Sequence, residues 1–431
     1  MPFPHPLARL LLALCIAGCG VAVDAPFVQA DFEGAGTGFA LIPVAQPTTT
    51  ADEVIAGKTS LRLDSSASDA EWHECLTSDA GLIPAGTTVE VRFAYRWLAK
   101  PDAKAPAGQN AFLYSLLRSA AAAGKDIGWT TRTWDDFSGK DGVVRRVLTT
   151  GPDAGYRLIV GVHRRAQVVI DDLTVRVLHP VVAAPPQEVG PPPGPRWVPV
   201  PELSDEFDGP TIDLAKWEAG NGGWKGREPA FFDPRNLSIQ DGRLTLELKR
   251  ADYAADPALA GLPKGYHTWT SASIRSRILR KYGFYEIRAK PVAATASSAF
   301  WFSHDGAEID VFEIGGTAPA FAHTVHSTLH VFPAEWNGKV PHWARSSTWD
   351  LDARPVDDFH IYSLQWDEQA IVMRIDGGEV ARFANTDWHR EMPVIFDIET
   401  MPDWFGLPAD GDALPGRFQI DWIRAWRAES P

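Results

Sequence analysis

The sequence predicts an all-β chain folded as two sandwiches, the smaller one first. Short runs that alternate apolar and polar residues recur along most of the 431 residues, the period of strands with one buried face. Hardly any segment keeps the 3.6-residue apolar period of a helix. Between positions 180 and 195 the chain carries seven prolines, with Gly190 and Gly194 among them. Such a composition favours extended backbone and separates folded units.

Apolar residues at 45% and aromatics at 11% supply more than one packed core and exclude a disordered chain. The formal charge of −14 argues against nucleic acid as a partner. Of 17 tryptophans, 13 lie from Trp197 onward. Indoles provide the flat apolar surfaces on which sugar rings stack.

Taken in order, residues 1–18 have the short apolar core of a signal peptide. The run ends in Ile16-Ala17-Gly18-Cys19, which resembles a bacterial lipobox. That resemblance implies export, acylation of Cys19 and a lipid anchor at the cell envelope as the sole membrane contact, with residues 19–30 as the tether. Cys75 then has no partner for a disulfide and is expected to be a buried small hydrophobe.

Residues 31–179 form the first unit. Strands are expected at 88–97, 156–162 and 168–177, and a helical stretch near 112–123. The opening Asp31-Phe-Glu-Gly and the later Gly57-Lys-Thr-Ser-Leu-Arg-Leu63 resemble the first strands of jelly-roll carbohydrate-binding modules. Glu71-Trp72-His73 and Trp129 are candidates for a sugar site in it. Residues 180–197 are the linker, and residues 198–431 the second unit, again strand-rich throughout.

Chemistry concentrates in Gly306-Ala-Glu308-Ile-Asp310-Val-Phe-Glu313-Ile-Gly-Gly316. In a regular strand Glu308 and Asp310 share a face and Glu313 points the other way. One bulged residue at Val311-Phe312 shifts the alternation and returns Glu313 to the face of the other two. Crowded carboxylates push at least one pKa up, so a neutral acid and an ionised nucleophile can coexist. Retaining glycosidases use such a pair ~5–5.5 Å apart.

Glu308-Ile-Asp310-Val-Phe-Glu313 is similar to the Glu-x-Asp-x-x-Glu signature of family 16 glycoside hydrolases, in the bulged form of the laminarinase, agarase and carrageenase branches. The likeness runs from Asp205-Glu-Phe-Asp208 to Asp421-Trp-Ile-Arg-Ala-Trp426. It passes through Tyr282-Gly-Phe-Tyr-Glu-Ile-Arg-Ala-Lys290, Ala299-Phe-Trp301 and Ile375-Asp-Gly377. The resemblance implies a concanavalin-like jelly-roll sandwich with its cleft on the concave face. Glu308 would be the nucleophile, Glu313 the acid/base and Asp310 the residue that tunes the pair. No cofactor is implied for catalysis. A structural calcium is implied at Asp421 with carbonyls near Glu206 and Gly242, away from the acids. A monomer acting on a polysaccharide is expected.

Within the family, Ser297-Ser-Ala-Phe-Trp301 lacks the Trp-Pro start of laminarinases. Three segments resemble agarases. They are Trp224-Lys-Gly-Arg227-Glu-Pro, Val325-His326-Ser-Thr-Leu-His330-Val-Phe, and Phe396-Asp-Ile-Glu399 on to Trp404. They imply Trp224, His330, Glu399, His326 and Arg227 as substrate contacts, and β-galactan of the agar or porphyran type as substrate; Trp301, beside the catalytic hairpin, is expected to stack on the sugar at the cleavage point. Laminarin and κ-carrageenan are the alternatives within the class, and a non-catalytic polysaccharide binder is the alternative outside it. His323 faces away from His326 and His330 on a strand, which argues against zinc.

Overall fold

The computed structural model describes residues 28–33, 39–99, 111–121, 126–132, 141–151, 154–178, 186, 188–332 and 343–429. The leader, Cys19 and most of the first half of the proline-rich segment lie outside the described residues. Among those described, the one helix is a single 3₁₀ turn, Pro234–Asn236, and none is long and apolar enough to cross a membrane.

The first unit stacks a six-stranded sheet on a five-stranded one. Leu63, Phe93, Trp97, Leu117, Val160 and Ile170 fill the space between them. Cys75 is fully buried there, and burial pushes its thiol up to about 12. The helix expected near 112–123 is instead the strand Phe112–Ser119, inside the five-stranded sheet between Tyr156–His163 and Asp126–Arg132. Both faces of this strand are covered, so its apolar residues do not alternate with polar ones. Leucine and alanine also favour helix, and the neighbouring strands override that preference.

The second unit stacks a ten-stranded antiparallel-rich sheet on a seven-stranded one. The seven-stranded sheet runs Trp217–Ala219, Ser273–Ser276, Val394–Glu399, Ser297–His304, Ala307–Ile314, Thr324–Val331, Trp343–Asp350. Its inner face meets the larger sheet through rings such as Phe312, whose centroid is 4.4 Å from Tyr362. Several of the tryptophans that suggested sugar platforms are core residues instead. Trp217, Trp366 and Trp388 are fully buried.

The units touch directly. Arg146, on the strand Asp141–Thr149 of the first unit, donates through Nε to the Asp350 carboxylate of the second at 2.8 Å. The same carboxylate accepts the Val147 backbone N–H at 2.6 Å. The described end of the proline-rich segment is not a free spacer either. Gly190 donates to Glu286 at 2.9 Å, and the Trp197 indole to the Pro192 carbonyl at 2.9 Å. The first contact, with the pairing of Trp197–Pro199 to the strand Gly416–Ala428, lays this segment along the larger sheet of the second unit.

Candidate active site

The strand Ala307–Ile314 carries the bulge that the acid spacing predicts. Against Ser297–His304, Phe300 pairs with Phe312 and Trp301 with Asp310, so Val311 is the extra residue. Against Thr324–Val331, Asp310 pairs with Thr328 and Glu313 with His326. Val311 and Phe312 therefore both belong to the sandwich core, while Glu308, Asp310 and Glu313 all line one cleft of about 690 Å³ on the opposite face. Two backbone carbonyls beneath the acids, of Glu308 and His330, accept the Trp388 indole N–H at 2.8 and 3.1 Å. This buried indole clamps two neighbouring strands together below the site.

The acids are held in a dry, negatively charged setting. Burial pushes the Glu308 carboxyl up to about 8, the Asp310 charge adds to this, and His330 and the Ser303 hydroxyl oppose it. Burial and then the Glu399 charge raise Asp310 well above the usual carboxylate range. Glu313 is raised well above it too, by burial first and then by Asp310, Glu399 and Glu308, against Arg227. Like charges at close range cannot all ionise, so the cluster retains protons at neutral pH. Glu308 has His330 and Ser303 to stabilise its anion, whereas Glu313 faces three carboxylates. The proton therefore belongs on Glu313, and a second on Asp310 relieves Glu308. His330 Nε2 lies 3.3 Å from Asp310 and 3.9 Å from Glu308, and burial lowers its pKa. Glu308, Asp310 and His330 also offer one ligand atom each within 4.8 Å of one another, the donors a cation would use. They are the acids' own cluster rather than a separate site.

The walls are aromatic and charged. Trp301 lies on the floor, its indole N–H donating to Asp397 at 3.0 Å. Trp224 meets it edge-on at 6.1 Å. Arg227 donates to Glu399 at 2.6 Å, which orients both beside Glu313. Trp301, Trp224, His330, Glu399 and Arg227 all line the cleft, as the sequence suggests.

Two expectations need correction. His326 is absent from the cleft surface. It packs under Trp404 at 4.8 Å, with Nδ1 3.2 Å from the Glu313 carbonyl, and burial lowers its pKa to about 4. It is a neutral support for Trp404 and the Glu313 backbone. Strand parity pairs it with His330 but does not show that the loop bearing Trp404 folds over it.

The calcium expectation fails on the chemistry of its donors. The Asp421 carboxylate accepts from Arg288 at 2.7 Å and Arg243 at 3.2 Å. The Glu206 side chain is likewise taken, accepting from Arg424 at 2.8 and 3.0 Å. A divalent cation at Asp421 would sit against two guanidinium groups that already hold its carboxylate, whatever the carbonyls of Glu206 and Gly242 offer.

The sequence reading also missed Asp397 and Trp404. Asp397 is fully buried, and burial and Glu399 push its carboxyl well up. It lies two residues before Glu399 and so on the same face, which the alternation in Asp397-Ile-Glu399 already encodes.

Known proteins are similar to this chain in sequence. The sequence model described as the GH16 domain of beta-porphyranases A–D matches residues 197–428. Beta-porphyranase D of Zobellia galactanivorans is 28% identical over 266 residues, 55% of this chain and 62% of that protein. The chain thus spans under two thirds of that relative's length. Beta-porphyranase B of the same organism is 27% identical over 54% of this chain and 85% of its own. Its crystal structure superposes with a TM-score of 0.49 at 25% identity, covering 57% of this chain and all of that one. The family model spans more than half of the chain, which places the bulged acid strand and its cleft in a known lineage: the chain belongs to glycoside hydrolase family 16, in the group described as beta-porphyranases A–D.

Proposed function

We propose that the chain is a retaining, endo-acting hydrolase of β-linked galactan of the porphyran or agar type. The observation that carries this reading is the bulge at Val311, which gathers Glu308, Asp310 and Glu313 on the floor of one tryptophan-walled cleft. The relatives named beta-porphyranase support the substrate class.

The chemistry proceeds in two displacements. The Glu308 carboxylate attacks the anomeric carbon. The bond to the leaving sugar oxygen breaks as Glu313 gives that oxygen its proton. The sugar is then an ester of Glu308. Water enters, Glu313 takes its proton, and the oxygen attacks the same carbon and frees Glu308. Asp310 carries its own proton and so does not compete with Glu308 for charge. Trp301 and Trp224 stack on the sugars flanking the cut, and the Arg227–Glu399 pair offers hydrogen bonds to hydroxyls or a sulfate ester. No cation is assigned to the Asp421 region. The protein is exported and acylated on Cys19.

Reducing-end release and the first-formed anomer, measured on porphyran, agarose, κ-carrageenan and laminarin, test the reading. Release of β-anomer from porphyran or agarose, abolished in Glu308→Gln, is expected. Release from laminarin alone would replace the substrate and keep the mechanism. Release of α-anomer would overturn retention.

A further inference from the structure

The outer face of the five-stranded sheet in the first unit is not an ordinary solvated surface. Trp72 is 49% exposed and Trp129 44% exposed, and their rings meet at 6.0 Å and 74°. Tyr114 lies beneath both, at 5.5 Å from each. Gly161 pairs with Tyr114 across the sheet. A Cβ at Gly161 would stand 2.5 Å from the tyrosine ring and 2.2 Å from the His73 carbonyl. Glycine here lets the ring lie flat over the strand, with its hydroxyl donating to His73 at 3.2 Å. Phe112 and His163 extend the aromatic floor as a stacked pair at 4.4 Å.

The rim is polar and its charges are paired. Arg118 bridges Glu74 and Asp126 at 2.7 Å each, and Arg164 holds Glu71 at 3.0 Å. Two angled exposed indoles over an aromatic floor, with a hydrogen-bonding rim of paired charges, suit a sugar chain. The C–H faces of its rings lie on the indoles and its hydroxyls reach the rim. The other large exposed apolar residues of this unit, Leu41, Leu82 and Val143, are no part of the ring cluster, so the indoles form a compact platform rather than the broad patch that a protein partner would need.

The platform is also anchored to the cleft. Arg146 donates to the Trp129 carbonyl at 3.0 Å and, across the unit boundary, to the Ala320 carbonyl at 3.5 Å and the Thr324 hydroxyl at 3.4 Å. Phe321, next in the chain, meets Trp404 of the cleft wall at 6.4 Å. One guanidinium thus joins the backbone under the platform to the loop that backs the cleft.

We propose that Trp72 and Trp129 form a second polysaccharide-binding site, held in fixed register with the cleft, that engages the same polymer the cleft cuts. The ligand's identity rests on the hydrolase reading, while the site itself does not. The test uses the full chain carrying Glu308→Gln, run in native gels containing porphyran, agarose or laminarin. Retardation by at least one polymer is expected. Adding Trp72→Ala with Trp129→Ala should weaken it about tenfold or more, the loss expected for roughly 1.4 kcal/mol of stacking. Trp129→Ala alone should give a partial loss with an unchanged melting temperature. Retardation that is absent on all three polymers, or unchanged by the tryptophan substitutions, overturns the proposal. Failure of the hydrolase reading shows separately, as no reducing-end release by the wild type, and leaves tryptophan-dependent retardation to be read by itself.

Discussion

Arg146 and Asp350 meet at 2.8 Å across the two sandwiches, with only 6% and 1% of their side chains exposed. Removing one member of such a pair strands a buried charge, at a cost of about 3–5 kcal/mol. Asp350→Ala should therefore lose stability of that order in urea denaturation and split one unfolding transition into two. A single unshifted transition would show that the contact contributes nothing to the joint fold.

The crowded acids should make the fold more stable as pH falls. Burial and the neighbouring Asp310 charge push the Glu308 carboxyl up from 4.5 to about 8, so holding it as the anion in the folded chain costs stability at neutral pH. Between these values the folded state holds the proton more tightly than the unfolded state. Its stabilising effect is complete below about 4.5 and is lost as pH rises toward 8. Glu308→Gln removes the titration, so the variant should melt higher than wild type at pH 7–8, by on the order of 2 kcal/mol. The gain should vanish near pH 4. A variant no more stable than wild type at pH 8 would contradict the strained setting assigned to Glu308.

Activity should respond in the opposite direction to a neighbouring charge. The proposed acid, Glu313, is raised by burial and by Asp310, Glu399 and Glu308, and lowered by Arg227. The alkaline limb of kcat/KM marks its loss of the proton. Glu399→Gln removes one repelling carboxylate and frees Arg227 from its ion pair. Both effects favour the Glu313 anion, so the limb should move to lower pH by roughly one unit. A limb that stays in place while KM changes would confine Glu399 to substrate contact.

Asp397 offers a sharper distinction. Burial and then the Glu399 charge push its carboxyl well up, toward the neutral form, and it accepts from the Trp301 indole. Asparagine keeps an acceptor oxygen and mimics that neutral form, so Asp397→Asn should leave kcat within about threefold of wild type and KM little altered. Asp397→Ala leaves the indole N–H buried without an acceptor, costing about 1–3 kcal/mol of stability. A hundredfold drop in kcat for Asp397→Asn would instead mean that the site uses an ionised Asp397.

Much of this site could be read from local pattern. The period-two alternation gives the strands, and the odd spacing between Asp310 and Glu313 requires the bulge that the register shows. Trp301, His330 and Glu399 fall in the cleft because strand parity fixes which face each occupies, while Trp224 and Arg227 reach it from the loop between Trp217–Ala219 and Ala230–Phe232. Readings failed where a second layer decided the outcome. His326 has the right parity, but the Trp404 loop covers it. Asp421 is polar and well placed, yet two arginines from other strands consume its oxygens. The strand Phe112–Ser119 is apolar on both sides, so its alternation is erased. The Arg146–Asp350 contact joins positions 204 residues apart, with nothing in either local sequence to announce it.

The extra residue at Val311 has an evolutionary corollary. Side-chain direction along a strand has only two values, so no substitution at any single position can carry Glu313 from one face to the other. A strand with one residue fewer, or one more, between Asp310 and Glu313 keeps the pair on one face only by regular alternation, without the bulge. Forms of this site are therefore separated by insertions and deletions rather than by exchange of side chains. An ancestor that gained or lost the bulge had to change the length of its central strand while the acids on either side stayed the same.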